Sequence, residues 1–200
     1  MTWILTGIAV LIIAALAGGF IYWHIESSRV YIDTSSIVAP EIDLSPSQGG
    51  ILEGVYVNEG DAVTANQTVA RVGDQLIQAK VAGIIISVPD TVGAQVDPGS
   101  PVVTMIDPTQ LRVVGEIDEN KGLDLIKVGD PVTFTVDAFG GQKFSAVVDE
   151  ISPTSNQSGI VFNISNSRET QQFDIKARFD TTTYTQLKNG MSARMWIYLK

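Results

Sequence analysis

Two patterns of apolar and polar positions divide the chain. From Trp3 to Trp23 the sequence WILTGIAVLIIAALAGGFIYW carries no charge, and its 21 residues at about 1.5 Å each would reach roughly 31 Å as a helix, the thickness of a bilayer's hydrocarbon core. This run predicts one N-terminal transmembrane helix within residues 1–25, with Trp3 at one end and Tyr22 and Trp23 at the other as interfacial anchors. Ala15-Leu16-Ala17 would suit a cleaved signal peptide, but no Lys or Arg precedes the run, so an uncleaved anchor is the reading taken. Residues 26–40 are polar and read as an extended stalk.

Beyond residue 40 short apolar alternations are broken by Gly, Pro, Asn and Asp, and Val outnumbers Leu by 22 to 11 in the chain, which favours strands over helices. An internal repeat organises residues 41–107. Gly50, Ile51, Val55, Gly60, Val63 and Val69 recur 33 residues later as Gly83, Ile84, Val88, Gly93, Val96 and Val102. Each copy reads as strand, turn, strand. A unit this small cannot bury its apolar face alone, so the two copies are expected to pair as a two-sheet sandwich about a pseudo-twofold axis. Gly50, Gly60, Gly83, Gly93, Gly129 and Gly190 are read as structural turn positions.

Pro108 marks a change of character. LRVVGEID, DPVTFTVDA, KFSAVVDEIS, GIVFNIS, FDIKARFD and GMSARMWIYL read as five or six strands, with one helical turn in ENKGLDLI and a tight turn at Phe139-Gly140-Gly141-Gln142. Residues 108–200 are thus expected to form a small β-barrel, which leaves no long open edge. The fold class read from the pattern is an all-β ectodomain, sandwich plus barrel, behind a single transmembrane helix.

Composition then removes several classes of chemistry. The chain has 22 Asp+Glu against 13 Lys+Arg, a formal net charge of -9, so nucleic acid is excluded as a partner. It has no Cys, which excludes disulfides, thiolate metal sites and thiol catalysis. Its one histidine, His24, sits beside the apolar run, so no His-assisted nucleophile is available. The pairs Asp118-Glu119 and Asp149-Glu150 are read as solvated surface, because adjacent strand residues point to opposite faces. Asp97, Asp107 and Asp137 lack the spacing of a calcium loop. No catalytic residue, cofactor or metal is expected.

Taken together, these residues resemble the membrane fusion protein family, the HlyD-type periplasmic adaptor subunits of export pumps. The first lipoyl-like (biotinyl-like) half-motif resembles GILEGVYVNEGDAVTANQTVARV and the second AKVAGIIISVPDTVGAQVDPGSPVVTMID. The barrel resembles LRVVGEIDENKGLDLIKVGDPVTFTVDAFGGQKFSAVVDEISPTSN, ending in LKNGMSARMWI. The resemblance implies a non-enzymatic, membrane-anchored subunit of an efflux or secretion system. It would be held at the cytoplasmic (inner) membrane with its bulk outside the cytoplasm. An inner-membrane transporter, ABC or secondary, would be its partner, and it would be able to form homo-oligomers.

Two departures from the family matter. The long α-helical hairpin between the half-motifs is missing, since only GDQLIQAKV separates Val72 from Ala82, so contact with an outer-membrane duct is not expected. The turn where carrier domains bear a modified lysine is Val72-Gly73-Asp74-Gln75, and Lys80 is placed in the next strand. Alternative readings are a biotin- or lipoyl-type carrier subunit, tested by an added mass on Lys80, and a structural envelope protein without a transport role. Loop tips often carry function on β scaffolds. Asn58, Glu59, Pro89, Asp90, Phe139 and Gln142 are accordingly the candidate partner contacts.

Overall fold

Val, Ile and Phe at alternate positions dictate the architecture, because each strand can bury only one of its two faces. The computed structural model describes residues 29–89, 91–156 and 170–199. The expected membrane helix with Trp3, Tyr22 and Trp23, the candidate contact Asp90 and the expected strand at 159–165 lie outside the described residues. Among the described residues no helix is long and apolar enough to cross a membrane. The strands are β1 (Arg29–Val38), β2 (Glu41–Leu44), β3 (Gly50–Val55), β4 (Ala62–Val63), β5 (Thr68–Val72), β6 (Gln75–Gln78) and β7 (Gly83–Ser87). They continue as β8 (Gln95–Val96), β9 (Val103–Ile106), β10 (Arg112–Asp118), β11 (Pro131–Val136), β12 (Lys143–Ser155), β13 (Gln172–Phe179) and β14 (Ser192–Tyr198). Among the described residues two compact units result: 37–89 and 91–112 with 180–191, and 29–36 with 113–156, 170–179 and 192–199.

The first unit is a sandwich of two four-stranded sheets, β2-β9-β7-β4 and β6-β5-β3-β8. Each is the image of the other under the 33-residue offset. Gly60 N–H donates to the Ile85 carbonyl at 2.8 Å and Gly93 N–H to the Leu52 carbonyl at 2.8 Å. In return, Ile85 N–H donates to Asp61 at 3.0 Å and Leu52 N–H to Ala94 at 2.9 Å. Strand registers obey the same rule: Ala62 pairs with Ile84 where Ile51 pairs with Gln95, and Asp43 pairs with Thr104 where Arg71 pairs with Leu76. Leu44, Leu52, Val63, Val69, Ala70, Ile77, Ile85, Val103 and Met105 fill the space between the sheets. The repeat is therefore longer than its identities suggested: β2 and β6 are equivalent strands, although Glu41–Leu44 and Gln75–Gln78 look unrelated.

The glycine expectations divide. Gly60, Gly93, Gly129 and Gly190 have φ of +88°, +94°, +96° and +85°, so they do occupy left-handed turns. Gly50 and Gly83 instead open β3 and β7. They are glycines because the neighbouring strand passes so close. A Cβ on Gly83 would strike the Ile106 carbonyl oxygen and the Met105 methyl, and one on Gly50 would lie 3.3 Å from Val72 Cγ1.

The second unit is a closed six-stranded barrel, β1-β10-β13-β12-β11-β14. Alternate residues Val132, Phe134 and Val136 of β11, Phe144, Ala146 and Val148 of β12, and Ala193, Met195 and Ile197 of β14 turn inward and are buried. Phe134 stacks on Phe144 with centroids 5.3 Å apart and tilts against Phe179 at 5.5 Å. The barrel does not arise from residues 108–200 alone. Residues 29–36, read as stalk, supply its closing strand, paired from Arg29 opposite Tyr198 to Ser36 opposite Ser192. A register shift between Ile32 and Ser35 breaks the alternation there, which hid the strand. Residues 180–191, read as barrel, belong to the sandwich unit, where Ile37 N–H donates to the Met191 carbonyl and Gly190 N–H to the Ile37 carbonyl, both at 2.8 Å.

Asp180 opens that last segment and fixes its turn. Its carboxylate accepts from Thr182 Oγ1 at 2.6 Å, Thr183 Oγ1 at 2.7 Å and Thr182 N–H at 2.9 Å. These bonds, the Thr182 hydroxyl first, hold its pKa down to about 2. A carboxylate depressed on folding stabilises the fold above its ordinary pKa of 3.8 and loses that effect as pH falls toward 2. Asp180→Asn, which mimics the protonated acid, should therefore melt below the parent at pH 7. Melting curves from pH 7 to 2 should show that gap narrowing between about pH 4 and 2.

Candidate functional site

The hairpin between β5 and β6 is the place where the sandwich could carry an insertion or a modified side chain. Its turn is Gly73-Asp74, with Gly73 at φ +52° and its N–H donated to the Ile51 carbonyl at 2.8 Å. No lysine stands at this tip. Lys80, placed in a strand by the sequence reading, lies exposed in the bend between β6 and β7.

Beside this hairpin, β2 and β6 are the edge strands of the two sheets. A cleft of about 380 Å³ runs along them, lined by Asp43, Leu44, Asn66, Gln75, Leu76 and Lys80 among others. The Gln75 side-chain oxygen accepts from Ser47 N–H at 3.1 Å and Gln48 N–H at 3.3 Å, tying the turn after β2 to β6. Among the described residues no group of three or more His, Cys, Asp or Glu could hold a metal ion.

The outer face of β6-β5-β3-β8 is unexpectedly apolar. Ile51, Tyr56 and Leu76 are each about half exposed (54%, 57% and 52%). They surround an ion pair between Arg71 Nε and Glu53 at 3.0 Å. Leu76 is the cross-strand partner of Arg71, and the Tyr56 ring lies over Gly54, 3.4 Å from where a Cβ would sit. Exposed apolar side chains gathered on one sheet face make it a candidate contact surface. The loop-centred reading missed it. The available signal was the run ILEGVYV, apolar on both strand faces, where a half-solvated strand would alternate.

The loop candidates are distributed over both units. Asn58 and Glu59 sit in the exposed turn before Gly60, where Asn58 N–H donates to Asp61 Oδ2 at 2.8 Å. Pro89 follows β7 and is half-buried. In the barrel, Phe139 packs edge-on against Phe144 with centroids 5.9 Å apart, so its ring braces the core, and Gln142 is exposed in the same turn.

The acidic pairs are structural. Lys121 (2.8 Å) and the Gln172 amide (3.0 Å) bind Asp118 and hold its carboxyl below its ordinary value. Asp149 and Glu150 both face solvent, contrary to the expectation of opposite faces, because a register shift between Val148 and Glu150 turns the chain. They pair with Arg178 at 3.7 Å and Lys176 at 3.0 Å.

On the outside of the barrel, Tyr31 and Trp196 are cross-strand partners with ring centroids 5.2 Å apart. The Tyr31 hydroxyl donates to Asp33 Oδ1 at 2.7 Å, and that bond raises its pKa above 10.0. Arg194 lies 2.6 Å from Asp137 and 3.9 Å from Asp33.

Solved structures share this arrangement. The periplasmic adaptor protein EmrA superposes on 86% of the chain, using 99% of its own, with a TM-score of 0.58 at 12% identity. The membrane fusion protein Spr0693 from Streptococcus pneumoniae R6 covers the same shares with a TM-score of 0.63 at 15% identity. MacA from Actinobacillus actinomycetemcomitans reaches 0.68 at 15% identity, over 86% of this chain and 79% of its own. No protein-family model matches the chain. A curated Haemophilus influenzae protein, described only as uncharacterized, is 33% identical over 109 residues, and the chain spans 25% of its length. The reciprocal sandwich and the six-stranded barrel thus give this chain the fold of the membrane fusion and periplasmic adaptor proteins, with the hairpin of its sandwich closed by a two-residue turn.

Proposed function

We propose that this protein is a membrane-anchored adaptor subunit of an export or efflux system, which binds an inner-membrane transporter and catalyses no reaction. Residues 3–23 would anchor it in the inner membrane and leave its bulk outside the cytoplasm, raising the local concentration of both β-units near the transporter. The observation that carries the reading is the exposed patch of Ile51, Tyr56 and Leu76 on a sandwich built like those of adaptor proteins. Since the β5–β6 turn has two residues and no helical hairpin, contact with an outer-membrane duct is not part of the proposal. A carrier function gains no support, because the hairpin tip holds Gly73 and Asp74 where a modified lysine would stand.

The test is affinity capture of the tagged full chain from detergent-solubilised membranes. Co-purification of an integral transport protein is expected. A Tyr56→Glu, Leu76→Glu variant should lose most of it, about tenfold or more, while keeping its melting temperature, since exposed substitutions rarely change stability by more than about 0.5 kcal/mol. Recovery of the parent chain alone would refute the assignment.

A further inference from the structure

The barrel's exposed apolar side chains gather at one end, the end at which the described chain begins. Among the described residues of this unit the exposed large hydrophobics are Val128 (65%), Leu125 (52%), Tyr31 (49%) and Val147 (44%). Arg29, the first residue of β1, pairs with Tyr198, the last of β14. Pro131, one residue before the Val132–Ile197 pair, is the partner of Val147. The turn carrying Val128 is tied to this place by Gly129 N–H donating to the Val148 carbonyl at 2.9 Å. Leu125 joins from the other side: its side chain and that of Val30 both reach over Gly122, 3.7 Å and 3.5 Å from where a Cβ would stand.

Along β1, β14 and β11 polarity changes in steps away from this end. The first row holds Tyr198, Pro131 and Val147 between Arg29 and Arg178, and β12 runs on past it to Ser155. One step along the strands, about 7 Å further, Tyr31 and Trp196 stack on each other. One step beyond stand the charges Asp33, Arg194 and Asp137, bonded together. The Tyr31 hydroxyl points to Asp33, away from the rim, so its ring body faces the apolar end and its polar tip faces the charged row. That is how a tyrosine lies at a bilayer surface, ring among the headgroups and hydroxyl toward water.

Chain length brings the rim within reach of a membrane. The uncharged run ends at Trp23, six residues before Arg29. Six residues span at most about 20 Å fully extended. We infer that the barrel face around Val128, Val147, Tyr198, Tyr31 and Trp196 rests on the lipid headgroups, so that the protein is held by a span and by a second, peripheral contact. This rests on the reading of residues 3–23 as a transmembrane helix. Arg29, Arg178 and Lys127 stand with Asp124 and Asp149 around this face, charges of both signs, so a zwitterionic surface suffices.

Trp196 reports the contact directly, since Trp3 and Trp23 are the other two tryptophans. The full chain carrying Trp3→Phe and Trp23→Phe, reconstituted in phosphatidylcholine vesicles with a nitroxide on the headgroup, should lose at least half of its Trp196 emission. Adding Leu125→Asp and Val128→Asp should restore most of it. A companion chain with Trp3→Phe and Trp196→Phe keeps Trp23 as the reporter, read with nitroxides on the acyl chains. Quenching of Trp23 without quenching of Trp196 overturns the inference and leaves the span standing. Quenching of Trp196 without that of Trp23 supports the lipid contact and removes the span. Loss of neither signal refutes both. Trp196 shielded from aqueous iodide but untouched by the headgroup probe would mean that a second copy or another protein covers this face, which also overturns the inference.

Discussion

Replacing Phe134 by Ala should destabilise the barrel by about 3–5 kcal/mol, the range for deleting a buried aromatic ring. Its ring is fully buried and touches Phe144 and Phe179 at once, so the cavity opens at the junction of β11, β12 and β13. A domain of this size has a total stability of about 5–15 kcal/mol, so such a loss can leave the barrel largely unfolded. Chemical denaturation followed by near-ultraviolet circular dichroism will measure it. Phe139→Ala is the control. That ring meets Phe144 edge-on from a half-buried position, so a smaller loss is expected. Equal losses would contradict the description of Phe139 as a brace at the periphery.

Gly83→Ala should destabilise the sandwich by about 1–3 kcal/mol or more, the usual cost of forcing extra volume into a packed interior. The obstacle is the Ile106 carbonyl oxygen on β9, and backbone yields less readily than a side chain. Gly50→Ala, its repeat equivalent, should cost much less, because Val72 Cγ1 at 3.3 Å can shift by a few tenths of an ångström. Thermal denaturation of both variants measures the difference. If the two cost the same, the crowding described at Gly83 is not what requires a glycine there.

The sandwich was legible because six identities at one offset survive in the strands and turns that contact each other. Its outer strands were not. Glu41–Leu44 and Gln75–Gln78 are edge strands with one neighbour each, so burial constrains them weakly and their side chains have diverged. β1 escaped notice for a different reason. Its inward residues Ile32 and Ile37 are separated by a bulge and by Ser35, which is itself buried, so period-two counting fails. The same limit applies at Asp149 and Glu150, where one extra residue sends two neighbouring side chains to one face. The apolar sandwich surface is hidden in the sequence because it lies on strands rather than in loops. Ile51, Tyr56 and Leu76 look like ordinary strand residues until the pairing shows which side each occupies.

The pairing of β1 with β14 has a kinetic consequence. Arg29 leaves the ribosome long before Tyr198, and their contact spans 169 residues of sequence. During synthesis the two halves of the sandwich can find each other as soon as residue 106 has emerged, since their bonds run between 41 and 106. Barrel closure must wait for the final strand, and until then β1 offers a bare edge to the surroundings. Folding in two stages follows, with the slower stage set by the most distant pairing.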